Sequence, residues 1–413
     1  MDSNETPPLQ PRSEHTGPRI EFANKLRGIA AVSVVFYHYA MFWIFGWPPK
    51  IWGNLPDVPP VKTFWLPFLY QFPVQLPRPF VPNIDWGAFG VGLFFLLSGF
   101  VIANSVRSYR PSQFLLNRAL RIYPTYAVGF MVVLTAHAIA GWIYGRGLPY
   151  SAAQMVAHTF PGVRQVFNTA YIDPIIWTLE VEIKFYLVAF IAMSIRRNGA
   201  SLPVTGIGLG IGAATLVLSL VLPSSSGVAA RQLLSDAQFV CFILIGSSFF
   251  EYWIGASSRR ELTHRAGAIF ALFALTWIVS EYRGISIQWI GRIWSYAAAL
   301  AIFALAMKFS EKFESRNRLA DFYARISYPL YVVHLATGYL VLSLLHATPL
   351  PIFIDIAIAF AASTAAAFML HLAVEAPTMK LARAFARKKA QSAIPAPEPV
   401  EETLRWVRGA RGE

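Results

Sequence analysis

The chain has 413 residues; 55% are apolar, 15% aromatic and only 14% charged, and the mean hydropathy is +0.47. Ordinary soluble domains carry about 25% charged residues, so this balance excludes a disordered chain, a collagen and a typical cytosolic enzyme, and points to a polytopic membrane protein. The net charge of +13 fits basic loops on the cytoplasmic side of a bilayer better than a nucleic-acid surface, for which polar residues are too few.

Residues 1–21 are polar and Pro-rich with no apolar run, so they read as a flexible cytoplasmic tail and not as a cleaved signal peptide. A spanning helix needs about 20 mostly apolar residues. Ten segments qualify: 26–45, 87–104, 123–144, 174–195, 202–222, 238–254, 266–280, 289–307, 327–345 and 352–373. The segment 46–84 is an outer loop whose prolines break any helix; its Trp and Phe suit an interfacial loop or a lid over an outward-facing cavity. Lys380 to Lys389 form a basic juxtamembrane stretch suited to anionic headgroups, and 390–413 reads as a disordered cytoplasmic tail. The expected fold is therefore an all-α polytopic bundle of about ten helices over 22–389. With the N-terminus inside, strict alternation puts 26 of the 35 Lys and Arg on the inner side and 8 outside. That bias supports the count and predicts both termini cytoplasmic.

Charge inside a bilayer is costly, so each ionisable group there is a functional candidate. In the first span, Arg27 and His38 are eleven residues apart, within 20° of three full turns, and therefore share one stripe about 16 Å apart. Arg27 then sits near the inner interface and His38 beyond the midplane, as an acid/base group or as a hydrogen-bonded core histidine. The fourth span holds Glu180, Glu182 and Lys184. Glu180 and Lys184 form an i,i+4 pair expected to neutralise itself. Glu182 is turned about 200° from Glu180 and must pair elsewhere, be protonated or face water. In the ninth span Ser327, Tyr331 and His334 share a face. Ser98 and Gly99 sit among small residues that allow close helix approach. His137 and His371 read as structural.

The inner segment 105–122 carries Arg107, Arg110, Arg118 and Arg121. Arg118 and Arg121, three apart, share a helix face as ordinary positive-inside charge or as a phosphate clamp. The glycines at 206, 208, 210 and 212 imitate a dinucleotide loop, but no strand precedes them, so helix packing is the better account. The single cysteine, Cys241, allows no intrachain disulfide, and no metal site is expected.

Taken together, these segments resemble the membrane acyltransferase-3 family of bacterial surface-polysaccharide O-acyltransferases. LRGIAAVSVVFYH resembles its Arg–His first span, and GVGLFFLLSGFVI its second. FLLNRALRIYP looks like its inner-loop RxxR, and WTLEVEIKFY like its fourth-span motif. ISYPLYVVHLA and VEAP resemble its last two spans. The blocks keep their order over 22–378. Gly92 stands where the family usually has Asp, and Ile183 where it has a second Glu.

The resemblance implies transfer of an acyl group, usually acetyl from acetyl-CoA, onto a carbohydrate hydroxyl, in a bacterial inner membrane. No permanently bound cofactor is implied, and acyl-CoA is the donor substrate. The expected partners are that donor, a carbohydrate acceptor and the bilayer, with no nucleic acid. Carried over, His38, Arg27 and Glu182 become catalytic. Arg27, Arg118 and Arg121 become donor-binding. Trp177, Glu182, Ser98 and His334 become acceptor-binding. His38 would act as general base or form an acyl-histidine, and Glu182 would orient His38 or hold sugar hydroxyls. The rival reading is a polytopic secondary transporter of a small solute, which would also bury charges at the midplane.

Overall fold

The computed structural model describes residues 20–45, 84–167, 169–195, 204–287, 290–313 and 317–391. The tail 1–19, most of the outer loop 46–84 and the C-terminal tail from 392 fall outside the described residues. Among the described residues all regular structure is helical. In chain order the helices are α1 (Glu21–Phe45), α2 (Trp86–Ser108), α3 (Pro111–Ile143), the short α4 (Ala152–Thr159) and α5 (Val163–Val166), and α6 (Ile176–Ile195). They continue with α7 (Val204–Val221), α8 (Val228–Trp253), α9 (Arg259–Tyr282), α10 (Ile293–Lys308), α11 (Arg318–Leu345), α12 (Ile352–Leu370) and α13 (Ala376–Gln391).

Among the described residues, seven stretches are long and apolar enough to cross a membrane: α2, α3, α7, α8, α9, α11 and Ile352–Ala382. α1, α6 and α10 are not in that set; α6 carries Glu180, Glu182 and Lys184 within it and α10 has only 16 residues.

Several helices begin earlier than hydropathy alone suggests. α9 starts at Arg259 because Ser258 and Glu261 form a reciprocal capping box that satisfies two orphan amide donors. α11 starts at Arg318 because Asn317 accepts from the amides of Leu319 and Ala320. α8 begins ten residues ahead of the expected span, and its polar first turns are used: Asp236 pairs with Lys184 at 2.9 Å. α3 runs without interruption through Pro124, so the basic segment 111–122 is the first half of one long helix. Between α12 and α13, residues His371–Glu375 form a π-turn in which His371 Nδ1 and Glu375 Oε2 lie 2.6 Å apart.

Cross-links fix the alternation of the bundle. At the face where α1 begins (the near face), Asn24 donates to Asp321 at 2.9 Å and Arg265 pairs with Glu251 at 2.8 Å. At the opposite, far face, Arg292 pairs with Asp85 at 2.9 Å and Tyr144 donates to Ser343 at 3.3 Å. α8 is central, with 89% of its apolar window buried, whereas α7 has 22% and presents its apolar side outward. α2 and α8 meet backbone to backbone. A Cβ on Gly99 would lie 1.9 Å from the Ile243 carbonyl oxygen, and one on Gly246 would lie 2.0 Å from that of Leu96. Gly208 and Gly212 similarly receive Ile269 and Leu272, so the 206–212 run is a packing surface. Gly92 is explained in the same way: a side chain there would meet Ala299 at 2.9 Å and the Tyr296 ring at 3.1 Å.

The structure corrects one expected pairing. Glu180 and Lys184 do not neutralise each other. Glu180 takes a bidentate pair from Arg164, at 3.1 and 2.7 Å, while Lys184 turns to Asp236 and Gln165. The fork of an arginine matches both carboxylate oxygens, which a neighbouring lysine on the same helix cannot do.

Candidate functional site

Two cavities lie along the stripe of α1 that carries Arg27 and His38. The first, toward the near face, is a slot of about 80 Å³. Arg27, Ser98, Arg121, Glu182 and Tyr186 give it its polar wall, and Tyr331 stands at its far end. Glu182 Oε1 accepts from Ser98 Oγ at 2.7 Å and from the Tyr186 hydroxyl at 2.5 Å. The carboxylate that lacked a local partner in the sequence thus has one at i+4 and one on α2, and it faces two guanidinium groups.

The second cavity, toward the far face, measures about 380 Å³. His38 of α1, Asp85 at the start of α2, Trp177 of α6, Arg292 and Tyr296 beside α10, and Tyr339 of α11 line it. Val91 and Tyr331 line both cavities. The Tyr331 hydroxyl lies 2.7 Å from Thr178 Oγ1 at this junction.

His38 Nδ1 is 3.0 Å from His334 Nε2. The partners on the other side of His334 fix the tautomers. Its Nδ1 sits 3.0 Å from the Leu330 carbonyl and 2.8 Å from that of Tyr331. Carbonyls only accept, so His334 carries its proton on Nδ1 and accepts at Nε2. His38 must then donate from Nδ1, which leaves its Nε2 with a lone pair. The dyad is anchored through backbone: Tyr339 donates to the His38 carbonyl at 3.1 Å and Tyr39 to that of His334 at 3.0 Å.

The remaining expected residues are distributed as follows. Arg118 does not line the slot. It is buried, donates to Ser105 at 2.9 Å and lies over the rings of Phe114 and Tyr186. Ser98 and Glu182 belong to the arginine slot, and Trp177 to the cavity of His38. His334 is fully buried behind His38 and lines neither cavity, because both of its ring nitrogens are spent on protein partners. Glu182 does not bond to His38; the second histidine takes that place.

Sequence reasoning passed over Asp85, Arg292 and Tyr186. Tyr186 was available as the i+4 neighbour of Glu182. Asp85 and Arg292 are 207 positions apart and carried no local signal. Among the described residues no three His, Cys, Asp or Glu side chains gather as metal ligands.

Beside the second cavity, in the connection before α6, Asp173 is buried and its carboxyl is pushed up to about 7 by that burial. Its Oδ1 accepts from the Ile175 amide at 3.3 Å, and its Oδ2 has no partner. His158 of α4 is also buried. Burial, and secondarily Arg164, pushes it down to about 3, and its Nε2 accepts from the Ile172 amide at 3.1 Å.

The family model of the acyltransferase-3 family, described as an acyltransferase domain, matches residues 20–372. The chain belongs to the acyltransferase-3 family. It is an integral membrane acyltransferase, and all the residues of both cavities fall inside the matched region. Among its relatives in the family, Nodulation protein 10 of Rhizobium leguminosarum bv. viciae is 26% identical over 298 residues, 68% of this chain and 70% of its own length. The Exopolysaccharide production protein ExoZ of Rhizobium meliloti (strain 1021) is 33% identical over 132 residues, 30% of this chain and 40% of its own length. No solved structure matches.

Proposed function

We propose that this acyltransferase moves an acyl group, in the first instance acetyl, from cytosolic acyl-CoA to a hydroxyl of an exported or cell-surface carbohydrate. The name of one relative, an exopolysaccharide production protein, supports the acceptor class. The single observation that carries the reading is the placement of the two cavities back to back: an arginine-lined slot toward one face and a histidine-bearing cavity toward the other share Val91 and Tyr331 as lining.

The polarity of the membrane enters here too. α1, α6 and α10 are taken to complete a ten-span bundle with both termini cytoplasmic, in the bacterial inner membrane, so that the near face is the inner one. The slot then opens toward the compartment that holds acyl-CoA. A slot of about 80 Å³ holds the volume of only a few waters. It has room for the acyl-thioester end of the donor and not for its nucleotide. Arg27 and Arg121 attract the polyanionic donor from the wall they share with Glu182, while Arg118 braces the turn between α2 and α3.

In the transfer step His38 Nε2 takes the proton of the acceptor hydroxyl as its oxygen attacks the thioester carbonyl. The C–O bond forms, the C–S bond breaks, and the thiolate leaves down the slot and recovers the proton from His38. His334 Nε2 holds the Nδ1 proton throughout, so His38 is kept in the tautomer that can act as base.

The test is acyl transfer in proteoliposomes. His38→Ala, checked for expression and monodispersity, should lose about 10²–10⁴-fold in turnover. Undiminished turnover sinks the proposal. Incubation with labelled acyl-CoA alone separates direct transfer from an acyl-histidine: direct transfer leaves no stable label on the protein.

A further inference from the structure

The second cavity has an unusual charge balance. Among the described residues its lining combines five aromatic side chains, Tyr37, Trp177, Tyr296, Tyr331 and Tyr339, with one anion, Asp85, and one cation, Arg292. The two ions are locked together. Arg292 Nε donates to Asp85 Oδ2 at 2.9 Å, and Arg292 Nη2 donates to the Tyr37 hydroxyl at 3.2 Å. Asp85 is held from its other side as well. Its Oδ1 caps α2 by accepting from the Ala88 amide at 2.9 Å, and its own amide donates to Ser295 Oγ at 2.8 Å. Asp85 is buried, whereas the Arg292 side chain is 30% exposed.

We infer that this cavity is the acceptor subsite and that the Asp85–Arg292 pair makes it selective for an uncharged pyranoside over a uronic acid. The inference rests on the proposed transfer and adds to it the charge class of the acceptor. A pyranose ring has an apolar C–H face and a rim of hydroxyls. The aromatic walls suit the face, and the fixed ion pair with the tyrosine hydroxyls suits the rim. A carboxylate on the sugar would need a cation of its own in a site of low dielectric. The guanidinium present is already neutralised by Asp85, which would also repel the incoming charge. At about 380 Å³ the space falls in the range of sites for small ligands, roughly 300–1,000 Å³.

The test uses the full chain in nanodiscs without acyl donor, read by saturation-transfer NMR with methyl glucoside and methyl glucuronide at neutral pH. Wild-type protein should transfer saturation to the glucoside and bind the glucuronide about tenfold more weakly or less. Trp177→Ala should lose the glucoside signal. Asp85→Asn keeps a capping side chain on α2 and removes the carboxylate charge that Arg292 pairs with. It should turn the preference toward the glucuronide, and Arg292→Gln should keep the glucuronide excluded.

Equal signals from the two glycosides on wild type, no glucoside signal, or an unchanged preference in a folded Asp85→Asn would each overturn the inference. The binding readout needs no donor, so its failure is separable from that of the transfer reading. Lost charge selection with intact His38-dependent acyl-CoA turnover removes only the acceptor assignment. Selective glycoside binding with turnover indifferent to His38 removes only the transfer.

Discussion

At the scale of single residues, His334 and Asp173 carry separate predictions. His334 does not line the acceptor cavity, so its effect must pass through His38. In His334→Ala the His38 Nδ1 proton loses its acceptor and the tautomer is no longer held. Turnover should fall on the order of 10²-fold with little change in KM for donor or acceptor. His334→Gln offers an amide oxygen at a similar reach and should recover part of the loss, which a purely structural role would not do. Asp173 and His158 make opposing contributions to stability. The Asp173 carboxyl rises to about 7 on folding, so its stabilisation is complete below the unfolded value and is lost as pH rises toward 7. The His158 imidazole falls to about 3, so its contribution is complete above the unfolded value and is lost as pH falls. Between about pH 4 and 6.5 the two slopes, each about 1.4 kcal/mol per pH unit, cancel. Asp173→Asn removes one of them. The variant's stability minus that of wild type, followed by thermal unfolding in detergent, should therefore climb with pH across that window. A flat difference curve would show that Asp173 titrates as it does in the unfolded chain.

At the scale of elements, the apposition of α2 and α8 sets the frame for both cavities, since α2 supplies Asp85, Val91 and Ser98. Gly99 and Gly246 face backbone atoms that cannot rotate away. Gly99→Val should cost at least about 3 kcal/mol through overpacking, read as loss of the monodisperse folded peak in detergent. Gly210 has nothing within 4 Å of its Cβ direction, so Gly210→Ala should be tolerated and gain about 1 kcal/mol of helix propensity. The contrast explains which parts of the elements were legible in the sequence. Apolar runs marked the middles of the helices, because burial in lipid or protein selects apolar side chains throughout. Ends were misplaced wherever polar first turns are satisfied by caps or cross-links, as at Ser258 for α9 and Asp236 for α8. The stripe joining Arg27 to His38 was legible because one helix carries both and its period fixes their phase. The pairs Arg164–Glu180, Lys184–Asp236 and Asp85–Arg292 were not, because hydropathy assigns no partner across helices, and the nearest i,i+4 candidate for Glu180 was the wrong one.

At the scale of the whole molecule, charge asymmetry and cavity order lead to one expectation. The arginine slot lies toward the face that holds the starts of α1, α3 and α11, and with ten alternating spans the segments on that face would carry 26 of 35 basic residues. Acyl-CoA is cytosolic and polyanionic, so the two-cavity reading requires that face to be cytoplasmic. It also requires α1, α6 and α10 to span, despite the three charges within α6 and the short length of α10. If any one of them did not cross, the reporters on its two sides would agree. A fluorescent protein that matures only in the cytosol, fused after residue 413, should therefore fluoresce. An alkaline phosphatase that folds only outside the cytosol, inserted between 346 and 351, should be active there and inactive between 255 and 258. Insertions in 196–200 and near 285 test α6 and α10 in the same way, inactive at the first and active at the second. Phosphatase activity in 196–200 would remove α6 as a span. It would put Glu182 at the wrong depth to meet Arg27 across the slot, and the donor route through the arginines would fail with it.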